Sequence, residues 1–347
     1  DRLITDAGRE LLKITSSGDF ETNNVFNINR DSFIYLKQLL KTSIDVSGSI
    51  VRPFIAVIKC LTELEFLSYD EFTYFVPLII DYESAKQIIS DIKLYREGKI
   101  SPEEIIYKRL MQMDNYKLAR EEFIASDVDE NLICLVGMNR KSRSYDKPYY
   151  KLYENLKKVF LDGISDYESL LNSAKNINQK PGTLWRSLIF KTTNIGVVRK
   201  NGKSSIHKQC PFINCKNETE LKKVFFKYLH VFKAMATLSD YFDLNRRYFN
   251  ITDTLIFEDC MIKLDMIPKY YFKEIIDVLY TETFSRDDKL RADAPLDNIS
   301  EAFKLDISKV YAALSKDLGI TIKSPEQAAT YVNDERYRRF NTLIDKK

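Results

Sequence analysis

Glycine is scarce in this chain, at 10 of 347 residues, and cysteine (5), histidine (2) and tryptophan (1) are scarcer still. No P-loop, no glycine-rich dinucleotide turn and no G-x-S-x-G elbow occurs. No apolar run approaches the roughly 18–20 residues of a membrane span, and no secretory core segment is present. The cysteines, at 60, 134, 210, 215 and 260, are odd in number and scattered. That argues for reduced thiols rather than a disulfide framework, with the cytoplasm as the expected compartment. His207, Cys210 and Cys215 follow H-x2-C-x4-C. A structural zinc takes four ligands, and the next cysteine, Cys260, lies far along the chain, so these read as ordinary loop residues and no metal is assigned. His230, beside Phe225, Phe226, Tyr228 and Phe232, reads as a core or interface histidine.

A metal-dependent nuclease site needs an Asp on one strand and a Glu-x-Lys on the next, so that carboxylates hold Mg²⁺ and the lysine assists the attacking water. Glu220-Leu221-Lys222 has that spacing, but it falls in a helical stretch with no acidic strand before it, and reads as a solvated helix face. No catalytic residue is assigned.

What is present is charge, unevenly spread. The net charge is only +3, yet residues 61–135 carry 16 acidic against 8 basic groups, and residues 136–233 carry 20 basic against 7 acidic. Within 181–233 the only carboxylates facing 11 Lys/Arg are Glu218 and Glu220. A basic block of this size suggests a polyanion-binding surface, because clustered Lys/Arg gain affinity by releasing phosphate counterions. The bland alternative is a solvated face.

Helical periodicity dominates, and the length has room for two or three domains. Residues 30–41 place Phe33, Ile34, Leu36 and Leu40 on one stripe; residues 52–61 carry Pro53 at a favourable first turn. Ser68 with Glu71 has capping-box form, opening a helix that Pro77 ends, and residues 81–99 form an amphipathic helix stopping at Gly98. Three short helices between 52 and 98 have helix-turn-helix spacing. Ser324-Pro-Glu-Gln327 is another capping box, and residues 334–347 read as a charged amphipathic helix.

The middle of the chain has winged-helix grammar. Residues 183–193 read as a helix, followed by a hairpin over 195–208 turning at Asn201-Gly202. Residues 220–249 read as helix, residues 253–265 as a second hairpin turning at Glu258-Asp259, and Pro268 opens a further helix. The opening stretch fits the same template, a wing strand ending at Leu3-Ile4 and a returning helix from Gly8.

The candidate DNA contacts are a basic turn, Asn139, Arg140, Lys141, Ser142 and Arg143; the expected wing, Arg199, Lys200, Asn201 and Lys203; Arg186, outward beside a core-packed Trp185; and Asn245, Arg246 and Arg247, with Tyr241, Phe242, Leu244 and Phe249 packing inside. Arg and Asn grip guanine and adenine edges bidentately, whereas Lys and Ser more often hold phosphates. Arg246 or Arg247 pairs equally well with Asp240 or Asp243.

Five stretches, "LITDAG" (3–8), "RPFIAVIKCL…LSYDEF" (52–72), "DIKLYREGK" (91–99), "DYFDLNRRYFNITDTLIFEDCMIKL" (240–264) and "DERYRRFNTLIDKK" (334–347), together resemble the AlwI-type family of type IIS and nicking restriction endonucleases. The resemblance implies winged-helix subdomains that read a short asymmetric site in double-stranded DNA, a helical connector, and a separate Mg²⁺-dependent nuclease domain cutting at a fixed distance. The portion before "LITDAG" and the nuclease domain are then expected to lie outside the chain, and no catalytic residue carries over. A second subunit or second copy is implied where both strands are cut.

The expected fold is mainly α with short β-hairpins (α+β), built as tandem winged-helix-like DNA-binding subdomains plus a helical connector. Its expected divisions are a recognition subdomain over 1–145, a second over 146–290, and a connector over 291–347. Rival readings are a winged-helix transcriptional regulator or replication initiator without catalysis, and a helical interaction scaffold.

Overall fold

The computed structural model describes residues 4–21, 24–46, 48–139, 142–177, 179–283, 306–324, 326–331 and 333–334. The chain divides into two compact units, one made of residues 1–97 with 241–347 and the other of residues 98–240.

The first unit begins with α1 (Asp6–Ser17), α2 (Arg30–Lys41), the strands β1 (Ile44–Val46) and β2 (Ser49–Val51), α3 (Pro53–Leu64), β3 (Leu67–Ser68), α4 (Tyr69–Tyr74) and α5 (Tyr82–Arg96). Pro53 sits in the first turn of α3, where its missing N–H costs nothing. The capping box is present: Ser68 Oγ accepts from Glu71 N, and Glu71 Oε2 accepts from Ser68 N at 2.7 Å. The same buried carboxylate receives Arg96 from α5, Nε at 2.8 Å and Nη2 at 2.9 Å. A buried ion pair is tolerable when its remaining lone pairs are hydrogen-bonded, as both Glu71 oxygens are here.

The second unit follows with α6 (Pro102–Leu110), α7 (Asp114–Ala125), α8 (Glu130–Val136), α9 (Lys147–Phe160), α10 (Tyr167–Lys175), α11 (Gln179–Ile189), α12 (Ile195–Asn201) and α13 (Glu218–Asp240). Its core is aromatic. Trp185, wholly buried as its sequence context suggests, lies 5.4 Å from both Phe225 and Phe232 of α13 and 6.2 Å from Phe212. Phe123 of α7 stacks on Phe225 at 5.9 Å, so α13 is the spine on which this unit packs.

The chain then re-enters the first unit as α14 (Phe242–Asn250), β4 (Leu255–Glu258), β5 (Met261–Leu264), α15 (Met266–Thr283) and α16 (Ile307–Leu318). β3, β5 and β4 form an antiparallel three-stranded sheet in that order, with Leu67 opposite Ile262 and Leu255 opposite Leu264. Around it, Phe54 of α3 and Phe72 of α4 both meet Phe249 of α14, at 5.4 and 5.9 Å.

Several expectations need correction. The segment 195–208 is not a hairpin. Asn194 Oδ1 accepts from Gly196 and Val197 N–H and starts α12, and Gly202, at φ +49°, closes that helix before a 3-10 turn over Gly202–Ser205. Asn-Gly serves a type I′ turn, but glycine just past a helix serves equally as its stop, and here the Asn194 cap decides. The second hairpin is present, with its turn at Asp259-Cys260, both at positive φ (50° and 59°) as a type I′ turn demands, one residue later than expected. The long helix expected over 220–249 is broken at Tyr241 into α13 and α14. In the opening template, α1 forms but starts at Asp6, capped by Thr5, rather than at Gly8; Ile4 is not in a strand, and Leu3 lies outside the described residues. The helix expected over 334–347 lies outside them too, apart from Asp334, which is helical.

Candidate nucleic-acid interface

The two units separate the charge. Residues 98–240 carry 25 Lys/Arg against 16 Asp/Glu, a formal +9, while the remainder carries 28 against 34, a formal −6. The basic block read along the sequence therefore belongs to one folded body.

Within that body, Arg199, Lys200 and Asn201 end α12 and are exposed, and exposed Lys203 follows in the 3-10 turn. Arg199 is already engaged: its Nε and Nη2 grip the Glu168 carboxylate of α10, both at 2.6 Å. Each group reinforces the other's ionisation, the guanidinium held further up and the carboxyl further down. Arg186 on α11 is half-buried and donates to Thr183 Oγ1 at 3.0 Å. Beside α12, exposed Lys191 donates to the Ser204 carbonyl at 3.3 Å, and its backbone N–H bonds Ser205 O. Lys191 joins the Lys200–Lys203 neighbourhood only through folding, and sequence reasoning missed it; its one signal was membership of the basic block.

Arg140 and Lys141 of the basic turn lie outside the described residues. Asn139, Ser142 and Arg143 are described. Asn139 Oδ1 accepts from Ser142 N at 3.4 Å, Ser142 Oγ accepts from Ser144 N, and Arg143 is exposed. The turn leaves α8 through Gly137 and rejoins the core at the buried Asp146.

Asn245, Arg246 and Arg247 sit on α14, in the first unit and thus on a different body. Asp243 receives both arginines, Arg246 at 2.7 Å and Arg247 at 2.6 Å, and its carboxyl is held below the usual range chiefly by the Arg246 hydrogen bond. Of the four side chains expected inside, Phe249 is buried and Phe242 packs on Tyr69 at 5.1 Å. Tyr241 (56% exposed) and Leu244 (47%) instead face out, together with Tyr248 (54%). The face of α14 that packs against α3, α4 and β4 is carried by Phe242 and Phe249. Asn245 lines an apolar hollow between α3 and the β1–β2 hairpin, so its amide is only partly presented outward.

The residues considered for chemistry are structural. His230 is buried against Phe226 and Tyr116, bonds the Val136 carbonyl, and is pushed down to about 3 first by burial and then by Lys233. Glu220 accepts from Lys216 and Asn217 N-terminal to it. Lys222 is not solvated as expected; it is buried and donates to the Ser126 carbonyl at 2.6 Å, at the end of α7. His207 Nδ1 accepts from Gln209 N, while Cys210 and Cys215 are buried. Among the described residues no three His, Cys, Asp or Glu converge in a metal-holding group, and no helix is long and apolar enough to cross a membrane.

The family model described as AlwI restriction endonuclease matches residues 2–347. No curated protein and no solved structure matches.

Proposed function

The chain belongs to the AlwI restriction endonuclease family, and from that premise we propose that it is the DNA-recognition region of a type IIS-like or nicking enzyme. In this reading it binds a short asymmetric duplex site in the cytoplasm, and a Mg²⁺-dependent nuclease domain cuts at a distance. The observation that carries the reading is the formal +9 of residues 98–240 within a single folded unit. Lysines and arginines gathered on one body release counterions together when they meet a phosphate backbone.

The first unit supplies a candidate base reader. We read its order α3, β3, α4, then α14, β4, β5, with the sheet order β3-β5-β4, as a winged-helix plan in which α5 and the second unit, residues 98–240, come between the second and third helices. That makes α14 the recognition helix, with Arg246 and Arg247 as base-edge candidates and Asn245 behind them. Glu258 at the end of β4 and Asp259 in the turn after it carry charge that disfavours phosphate, so the contact is assigned to the helix. In the second unit, Lys200 and Lys203, the turn from Asn139 to Arg143 and, less directly, Arg186 and Arg199 hold the backbone.

In this reading the cutting step belongs to a separate Mg²⁺-dependent nuclease domain. Where both strands are cut, a second subunit or copy takes part. Family membership lends no support to a regulator without catalysis. The test is retention of the chain on immobilised duplex DNA across a salt gradient. Salt-sensitive retention is expected; retention that ignores salt, or none at all, removes the reading.

A further inference from the structure

The turn from Asn139 to Arg143 is held at its base by one side chain of another helix. Lys233 of α13 donates from Nζ to the Gly137 carbonyl, where the turn leaves α8, and to Asp146 Oδ1 at 2.8 Å, where the turn returns. One helical turn earlier on α13, His230 bonds the Val136 carbonyl. α13 thus satisfies two successive carbonyls at the end of α8, where helix carbonyls lack partners and negative partial charge gathers.

The return side is equally constrained. A Cβ on Gly137 would stand 2.3 Å from Asp146 Oδ2 and 2.8 Å from the Ile133 carbonyl, so the carboxylate lies directly against glycine backbone. Asp146 is 1% exposed, and the Lys233 side chain 20%. A pair this buried costs desolvation that an apolar pair would avoid. What it provides is a fixed span: both stems of the turn are tied to the same ammonium. Met138, at φ +51°, bends the chain out of α8, and the Ser142 carbonyl accepts from Tyr145 N as the chain comes back.

We infer that Lys233, acting through Asp146 and Gly137, is a positioning residue for DNA contact by Asn139, Ser142 and Arg143. The inference rests on the DNA-recognition reading above. Fixing both stems during folding removes the entropy cost of bringing them together from the binding step.

The test uses the whole chain and a fluorescent pool of random-sequence duplexes, titrated at several salt concentrations. Lys233→Met/Asp146→Leu removes both charges at once and leaves neither buried alone. Lys233→Gln/Asp146→Asn, which also removes both charges and keeps the side chains polar and close to their size, serves if the apolar pair does not fold. The expected result is affinity lower by about tenfold and a log–log salt slope flatter by about 1, the loss of roughly one phosphate contact, with the thermal midpoint close to wild type. A merely structural pair would move the midpoint and leave the slope alone; an unchanged slope and affinity overturn the inference. Asn139→Ala/Arg143→Ala separates the two levels of the argument. If it changes nothing, the turn does not touch DNA and both readings of it fall. If it weakens binding while the Lys233 and Asp146 variants do not, the positioning role alone falls.

Discussion

Phe72 of α4 and Phe249 of α14 meet edge to face, their ring centroids 5.9 Å apart at 78°. The whole second unit lies between them in sequence. The contact closes the first unit around a core that also takes in Phe54 and Phe257. Phe249→Ala should therefore cost about 3–5 kcal/mol in the denaturant unfolding transition of the first unit. A cost below about 1 kcal/mol would mean that α14 does not complete this core.

The Arg199–Glu168 pair changes which lysines and arginines should matter on α12. Lys200→Ala/Lys203→Ala is expected to flatten the salt slope of duplex binding by roughly 1–2. Arg199→Ala should do less, because its guanidinium is already engaged by a carboxylate. Titration of the three variants against one duplex checks the order, and equal effects would place Arg199 on the phosphate.

His230 gives a pH dependence. Its folded-state pKa lies at about 3, below the ordinary 6.5, because burial among Phe226 and Tyr116 and the nearby Lys233 disfavour the cation. The unfolded chain takes up a proton on this residue below about 6.5, whereas the folded chain resists doing so until about 3. The contribution is thus whole above that upper value and is lost progressively as pH falls toward the lower one. Between about pH 7.5 and about pH 5 the loss is about 2 kcal/mol. Thermal unfolding of wild type and His230→Gln at both pH values should show the larger drop in wild type; equal drops would show that another group governs acid sensitivity.

Gly137→Ala should destabilise the second unit by roughly 1–3 kcal/mol, since the new methyl would meet Asp146 Oδ2 and the Ile133 carbonyl at impossible distances. Calorimetry reads this directly, and an unchanged midpoint would mean that Asp146 moves aside without cost.

Local structure was largely legible in the sequence, because its causes are local. The Ser68–Glu71 box, Pro53 at a helix start, the amphipathic stripe of α2 and the hairpin at β4–β5 all depend on residues within a few positions of each other. The Asn201-Gly202 misreading has a physical basis: the same dipeptide suits a tight hairpin and a helix stop, and Asn194, seven residues upstream, tips the balance. The two-unit organisation was not legible, since Phe72 and Phe249 find each other across an inserted body. Nor was the Lys233–Asp146 tie, which joins residues 87 positions apart. Of the candidate site, the basic character of the middle region was readable from charge alone. Which lysines remain exposed and which, like Lys222, cap a helix from within was not, because burial is settled by packing.

The central claim, that this chain reads a DNA sequence, is tested most directly by selecting bound duplexes from a random-sequence pool through repeated rounds with the purified chain. Enrichment of one short, non-palindromic motif, abolished by Arg246→Ala/Arg247→Ala on α14, is the outcome the account predicts. A pool that stays random, or that converges on a palindrome, would contradict it.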